Sequence, residues 1–247
     1  MSPTNRVGRR EALVVFGAAG LGAVAGCGAS PTSASSTTTS ANTGGGSAGT
    51  SGTSACAVAP EETAGPYPDR IGMVNNSSYF RQDVAEGKSG IPLMLTLTVV
   101  NVRTGCSAVA AANVEIWQCD AVGNYSEYAQ PGYDGTSQTF LRGVQTADAN
   151  GRVTFKTIYP GWYAGRATHI HVEVFVNGTV VKTTQIAFPE DVSSAVYRTS
   201  VYSSHGQNTT SNAQDNVFSD GTSGEMAALS GDTTSGFTAT LTIGVSM

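Results

Sequence analysis

The sequence predicts an all-β domain, a β-sandwich core carrying long loops. Three observations carry that expectation. Several segments alternate apolar and polar residues with period two; Gly, Asn and Asp clusters punctuate them; and helical signals are confined to at most a turn or two near Val192–Tyr197 and Gly224–Ala228. Composition agrees. Only 13% of the 247 residues are charged and 30 are glycine, against a usual charged share of about 25%. The 13 Lys and Arg against 18 Asp and Glu give a net charge of −5. No basic stripe exists to neutralise phosphates, which excludes a nucleic-acid binder. No apolar run reaches the roughly 18 residues of a membrane-spanning helix.

Residues 1–27 read as an export signal. Arg9-Arg10-Glu11-Ala12-Leu13 resembles a twin-arginine signal, and the uncharged run Ala12 to Gly26 suits a signal core. Val24-Ala25-Gly26-Cys27 resembles a lipobox, in which Cys27 is lipidated after cleavage. The expected location is the cell surface, through a lipid anchor, or the extracellular space. Residues 28–55 contain only Gly, Ala, Ser, Thr, Asn and one Pro. Such a segment buries too little to offset chain entropy and reads as a flexible tether, with a coil dimension of roughly 30 Å. The folded domain is then 56–247.

Within it, Pro92 to Val102 alternates, with Leu93, Leu95, Leu97 and Val99 on one face. Asn113 to Gln118 sets Val114 and Ile116 against Glu115 and Trp117. The turn Asp148-Ala149-Asn150-Gly151 announces a strand from Arg152 to Thr157. Thr168 to Val176 and Thr179 to Phe188 form a hairpin about Asn177-Gly178, and Gly236 to Val245 closes the chain. Once Cys27 is committed to lipid, Cys56, Cys106 and Cys119 allow at most one disulfide. Cys56–Cys106 is the favoured pairing of the three, because both lie in predicted loops whereas Cys119 ends a strand.

Two of the three histidines form His169-Ile170-His171. In a strand, residues i and i+2 face the same side, so both imidazoles converge, and neutral imidazole is a common metal ligand. Cupin sites also use His-x-His but add a Glu a few residues on, where Phe175 and Val176 stand here. A zinc site wants a third His, Cys or carboxylate; the spare His205 sits in a Ser/Gly/Asn-rich stretch and reads as a loop residue. The neighbours are aromatic instead. Tyr159-Pro160-Gly161-Trp162-Tyr163 leads into Arg166 and the histidines, and Tyr125 follows the Trp117 strand. A phenol with pKa about 10 is ordinarily a poor ligand, but a trivalent cation such as Fe(III) stabilises phenolate directly.

The chain resembles the intradiol ring-cleavage dioxygenases, non-haem Fe(III) enzymes that open catechols between the two hydroxyls. The match runs from about Pro60 to Gly221. It includes Glu61-Glu62-Thr63-Ala64-Gly65-Pro66-Tyr67-Pro68, Trp117 to Tyr125, Phe140-Leu141-Arg142-Gly143-Val144-Gln145-Thr146, and above all Gly151 to Val174 with Pro160-Gly161-Trp162-Tyr163 and Arg166-Ala167-Thr168-His169-Ile170-His171. The resemblance implies a β-sandwich and an Fe(III) site ligated by Tyr125, Tyr163, His169 and His171. It implies that Arg166 and Gln185 act at the substrate, that Tyr67 and Trp162 shape its pocket, and that Tyr163 is the phenolate that leaves the metal and accepts a proton. The implied partners are a small aromatic diol and O2, and the implied products are of the cis,cis-muconate type. The chain departs from the cytoplasmic enzymes in having a signal and tether in place of a helical dimerisation segment. It also has only five residues between Tyr163 and His169. Two other readings stand beside this one: a non-catalytic metal- or ligand-binding β-sandwich surface lipoprotein, and a copper or zinc enzyme using the two histidines.

Overall fold

The computed structural model describes residues 56–247; the expected signal with its Arg9-Arg10 and Cys27, and the tether 28–55, lie outside the described residues. The strands in chain order are β1 (Pro92–Asn101), β2 (Ser107–Ala108), β3 (Asn113–Trp117), β4 (Ala129–Gln130), β5 (Tyr133–Asp134), β6 (Arg142–Thr146), β7 (Arg152–Ile158), β8 (His169–Val176), β9 (Thr179–Ala187), β10 (Ala228–Asp232) and β11 (Gly236–Val245); the described residues also form a short α-helix, α1 (Glu190–Val196), after β9 and several single-turn 3-10 helices. No helix among the described residues is long and apolar enough to cross a membrane.

Two sheets face each other. In the first, β11 lies parallel to β1 in unbroken register from Leu93 opposite Phe237 to Asn101 opposite Val245. β10 covers the outer edge of β11, while β7 and the short β2 share the other edge of β1. The second sheet has the order β6-β3-β8-β9. One core joins them: Leu93, Leu95, Leu97, Val99, Val153, Phe155, Ala239 and Ile243 from the first sheet meet Val114, Ile116, Ile170, Val172, Val174 and Ile186 from the second. The period-two reading of β1, β8 and β11 is thus realised as an inward apolar face.

The opposite face of the second sheet is also buried, and there the alternation puts chemistry. Strand pairing sets Arg142 beside Trp117, Trp117 beside His171 and His171 beside Gln185. Four side chains from four strands form one row, each fully buried. A shift of one residue in β8 would carry both histidines into the apolar core.

Two of the longer elements differ from the sequence reading, whereas the disulfide follows it. The helical signal near Val192–Tyr197 is realised as α1, but Gly224–Ala228 makes one hydrogen-bonded turn on the Thr222 carbonyl and then enters β10, which was not expected. Strand β6 was not expected either. Arg142 is a buried charge and Gly143 sits where a Cβ would meet Val84 Cγ1 at 2.5 Å, so neither supplies an apolar alternation. Cys56 and Cys106 are disulfide-bonded, and Cys119 is a buried free thiol.

Candidate metal centre

β8 delivers His169 and His171 to the outer face, with their Nε2 atoms 3.1 Å apart. His169 Nδ1 lies 2.6 Å from the Ala167 carbonyl. A carbonyl only accepts, so Nδ1 carries the proton and Nε2 presents a lone pair. Burial, reinforced by the Arg166 charge, depresses His169 to about 3. Burial, then the neighbouring His169 and Arg166, hold His171 well below the ordinary histidine range. Both rings are therefore neutral at physiological pH.

The phenols come from loops. Tyr125 follows β3 and Tyr163 follows β7; their rings meet edge to face at 5.8 Å, and Tyr163 meets His169 in the same way at 5.6 Å. Tyr125 Oη is fully buried with no hydrogen-bond partner. Its ring is backed by Tyr67, stacked at 4.6 Å. Burial drives the Tyr125 phenol well above 10 and Tyr163 up to about 12, the latter partly offset by Arg166. An orphaned phenol oxygen, a second phenol and two neutral imidazoles a hydrogen-bond length apart fit a hard, highly charged cation that would displace the phenolic protons. Two phenolates on Fe(III) would leave one net positive charge. Among the described residues no trio of His, Cys, Asp and Glu is gathered to hold a metal; the side chains that meet the two histidines include both phenols.

Gly165, at φ +85°, makes the bend that turns Arg166 back toward the strand it precedes. Arg166 Nη2 donates to Gln185 Oε1 at 2.5 Å, and Nη1 donates to Tyr163 Oη at 3.3 Å and reaches His169 Nε2 at 3.5 Å. Gln185 in turn donates from Nε2 to the Thr63 carbonyl at 2.8 Å. That contact anchors the segment Glu61–Pro68, which passes over the histidines. Gly65 there has φ +70°, and a Cβ on it would lie 2.8 Å from His171 Cε1.

The structure therefore gathers Tyr67, Tyr125, Tyr163, Arg166, His169, His171 and Gln185. Trp162 goes elsewhere. Its indole donates to the Gly206 carbonyl at 3.1 Å and packs on His205 and the sandwich core. His205 is held by its contact with the Trp162 carbonyl, 2.8 Å from Nε2.

Sequence reasoning assigned no role to Arg142 or Asp215. Arg142 donates from Nη2 to the Tyr67 and Ser126 carbonyls, both at 3.0 Å, tying the Tyr67 segment to the Tyr125 loop. Its place in the motif Phe140 to Thr146 was the available signal. Asp215, in a loop after β9, carried none; it accepts from Arg166 Nε at 2.8 Å.

The two imidazoles thus stand on the outer face of one sheet and the two phenols on the loops beside it. A family model described as "Dioxygenase" matches residues 64–214. An intradiol ring-cleavage dioxygenase from Tetranychus urticae is 29% identical, with a TM-score of 0.68 over 77% of this chain and 95% of its own. The dioxygenase domain of a dioxygenase–carbohydrate-binding protein fusion from Streptomyces sp. SirexAA-E is 25% identical, with a TM-score of 0.56 over 77% and 99%. A 3-chlorocatechol 1,2-dioxygenase from Rhodococcus opacus 1CP, 20% identical over 76% and 72% with a TM-score of 0.51, shares the fold. No curated protein sequence matches the chain. The chain belongs to the intradiol ring-cleavage dioxygenase family.

Proposed function

We propose that the protein is an Fe(III)-dependent intradiol dioxygenase that opens catechol-type aromatics with O2 to cis,cis-muconate-type products. The observation that carries the reading is the convergence of Tyr125, Tyr163, His169 and His171 beneath the Arg166 guanidinium. Iron(III), when bound, supplies Lewis acidity and a template for the diol.

The chain's own residues do the rest. Tyr125, sealed behind Tyr67, is the fixed phenol. Tyr163 is less buried and already accepts a hydrogen bond from Arg166, so its Oη, once ionised by a bound cation, would be placed to take up a proton released by the diol. The permanent charge of Arg166 lies over the site, held by Gln185, and stabilises negative charge developing on the ring. Trp117, Cys119, Ala64 and Tyr67 form the apolar cluster around the phenols and exclude water. Trp162 shapes the pocket indirectly, by fixing the loop that bears Tyr163.

Export with a lipid at Cys27 completes the proposal. Arg9-Arg10 and the Val24–Cys27 lipobox motivate it, and the Cys56–Cys106 disulfide suits an oxidising compartment. Mass spectrometry of the mature N-terminus should find lipidated Cys27; a soluble product cleaved elsewhere contradicts anchoring.

The functional test is metal analysis of the purified protein, then oxygen uptake with catechol and identification of the product. Stoichiometric iron and a ring-opened dicarboxylate are expected. Iron without turnover on catechol or simple substituted catechols would favour the non-catalytic surface lipoprotein. Zinc or copper in place of iron would favour the histidine-only metalloenzyme.

A further inference from the structure

We infer that Asp215 is a positioning residue of the centre, a single buried carboxylate that orients both Arg166 and His169. Asp215 is 1% exposed and comes from a loop 49 residues beyond Arg166, one position past the segment that matches the family model. Its two oxygens accept from Arg166 Nε at 3.0 and 2.8 Å. Oδ2 also accepts the Ala167 N–H at 2.7 Å, and Oδ1 the Val217 N–H at 2.8 Å. The Ala167 carbonyl in turn receives the His169 Nδ1 proton at 2.6 Å. One carboxylate thus fixes the edge of the guanidinium and, through the single residue Ala167, the tautomer and tilt of an imidazole. Asn208 Nδ2 adds a tether from the same loop to the Arg166 carbonyl at 3.0 Å.

Electrostatics demands such a partner. Arg166 Nη1 stands 3.5 Å from His169 Nε2, the atom that would face a cation. A guanidinium there is repelled by a bound cation unless an opposite charge holds it. Gln185 is a neutral acceptor and a Tyr163 phenolate would be shared with the cation, while Asp215 is the carboxylate that hydrogen-bonds the guanidinium, with Glu62 acting on it only through space. Removing its charge while keeping its shape should release Arg166 from the site without emptying the site.

The spectral and kinetic arms of the test rest on the dioxygenase reading; the labelling arm does not. Asp215→Asn and Asp215→Glu are compared with wild type. In metal-free protein, phenylglyoxal labelling of the Arg166 peptide, read by mass spectrometry, should be severalfold faster in D215N and closer to wild type in D215E. In iron-loaded protein, D215N should retain iron but alter the visible spectrum of the 4-nitrocatechol complex. With catechol, D215N should lower kcat by about 10²-fold, the scale of losing one preorganised donor. The double variant R166A/D215N should be no slower than R166A, because the two act as one unit. Unchanged labelling and spectrum in folded D215N, or multiplicative losses in the double variant, overturn the proposal. If D215N does not fold, D215E decides by the same labelling: a wild-type rate and spectrum support the carboxylate clamp, and Arg166 labelled as fast as in denatured protein refutes it. A wild-type protein inert toward catechol would count against the dioxygenase reading alone, since labelling still judges Asp215.

Discussion

The Trp117 indole lies flat against the His171 imidazole, ring centroids 4.7 Å apart and planes parallel. Strand pairing sets the two residues directly opposite on β3 and β8, so the stacking follows from register. The indole is the wall that keeps His171 from turning away from His169. Trp117→Ala should therefore lower iron affinity by about 10–100-fold, the usual cost of losing a ligand's orienting partner. It should also lower stability by about 3–5 kcal/mol through the cavity left behind. Trp117→Phe, which restores an aromatic face, should recover most of the iron affinity. Iron titration and denaturant melts of both variants check this.

Gly65 offers a sharper steric test. Its backbone has φ +70°, and an added Cβ would stand 2.8 Å from His171 Cε1 and 3.3 Å from Nε2, the atom proposed to bind the metal. Gly65→Ala should reduce iron content while leaving the sandwich folded, because the clash is with the site and the left-handed conformation itself costs only about 1–2 kcal/mol. Gly165→Ala is the control. Gly165 has φ +85° but open space around the missing Cβ, so it carries the conformational cost without the clash.

Buried Glu115 gives the fold a pH dependence. It faces Glu173 across β3 and β8, in the row next to the Trp117–His171 pair. Burial, then repulsion from Asp69 and Glu173, raises its carboxyl from 4.5 to about 8. Between these values the folded chain holds a proton that the unfolded chain has released. Its contribution is complete below 4.5, falls as pH rises, and is lost above about 8. Glu115→Gln should flatten that limb of the stability profile. Urea melts of metal-free wild type and E115Q from pH 5 to about 9, subtracted to isolate this residue, check the sign.

The Cys56–Cys106 disulfide closes a loop separated by 50 residues that contains β1. Chain entropy assigns a loop of this size about 4 kcal/mol of stabilisation. Cys56→Ser with Cys106→Ser should lower stability by up to that amount and leave the spectrum of the iron-loaded protein unchanged. Denaturation of oxidised wild type and the double variant measures it.

Which parts were legible in the sequence follows from how local each signal is. His169-Ile170-His171 declares its shared face through the two-residue period, and Gly165 declares the bend that Arg166 needs. The alternation of Leu93, Leu95, Leu97 and Val99 is just as local, and all four are buried. By contrast, the row Arg142, Trp117, His171 and Gln185 exists only once four strands have taken their registers. Arg142 breaks the apolar pattern of β6, and its partners, the Tyr67 and Ser126 carbonyls and the Glu127 carboxylate, come from other segments. Asp215 reads as one more polar loop residue until folding brings it to Arg166 across 49 positions. Trp162 looked like a pocket residue by its place in the motif, yet its indole turns to Gly206.

The central claim is that Tyr125, Tyr163, His169 and His171 together hold iron(III). The most direct measurement is the visible absorption spectrum of the iron(III)-loaded protein, recorded beside Tyr125→Phe, His169→Ala and His171→Ala with iron content determined on the same samples. Wild type should show an intense phenolate-to-iron charge-transfer band. Tyr125→Phe should shift or weaken it, and each histidine variant should lose most of its iron. A colourless iron-loaded wild type, or three variants that keep wild-type colour and iron, would contradict the account.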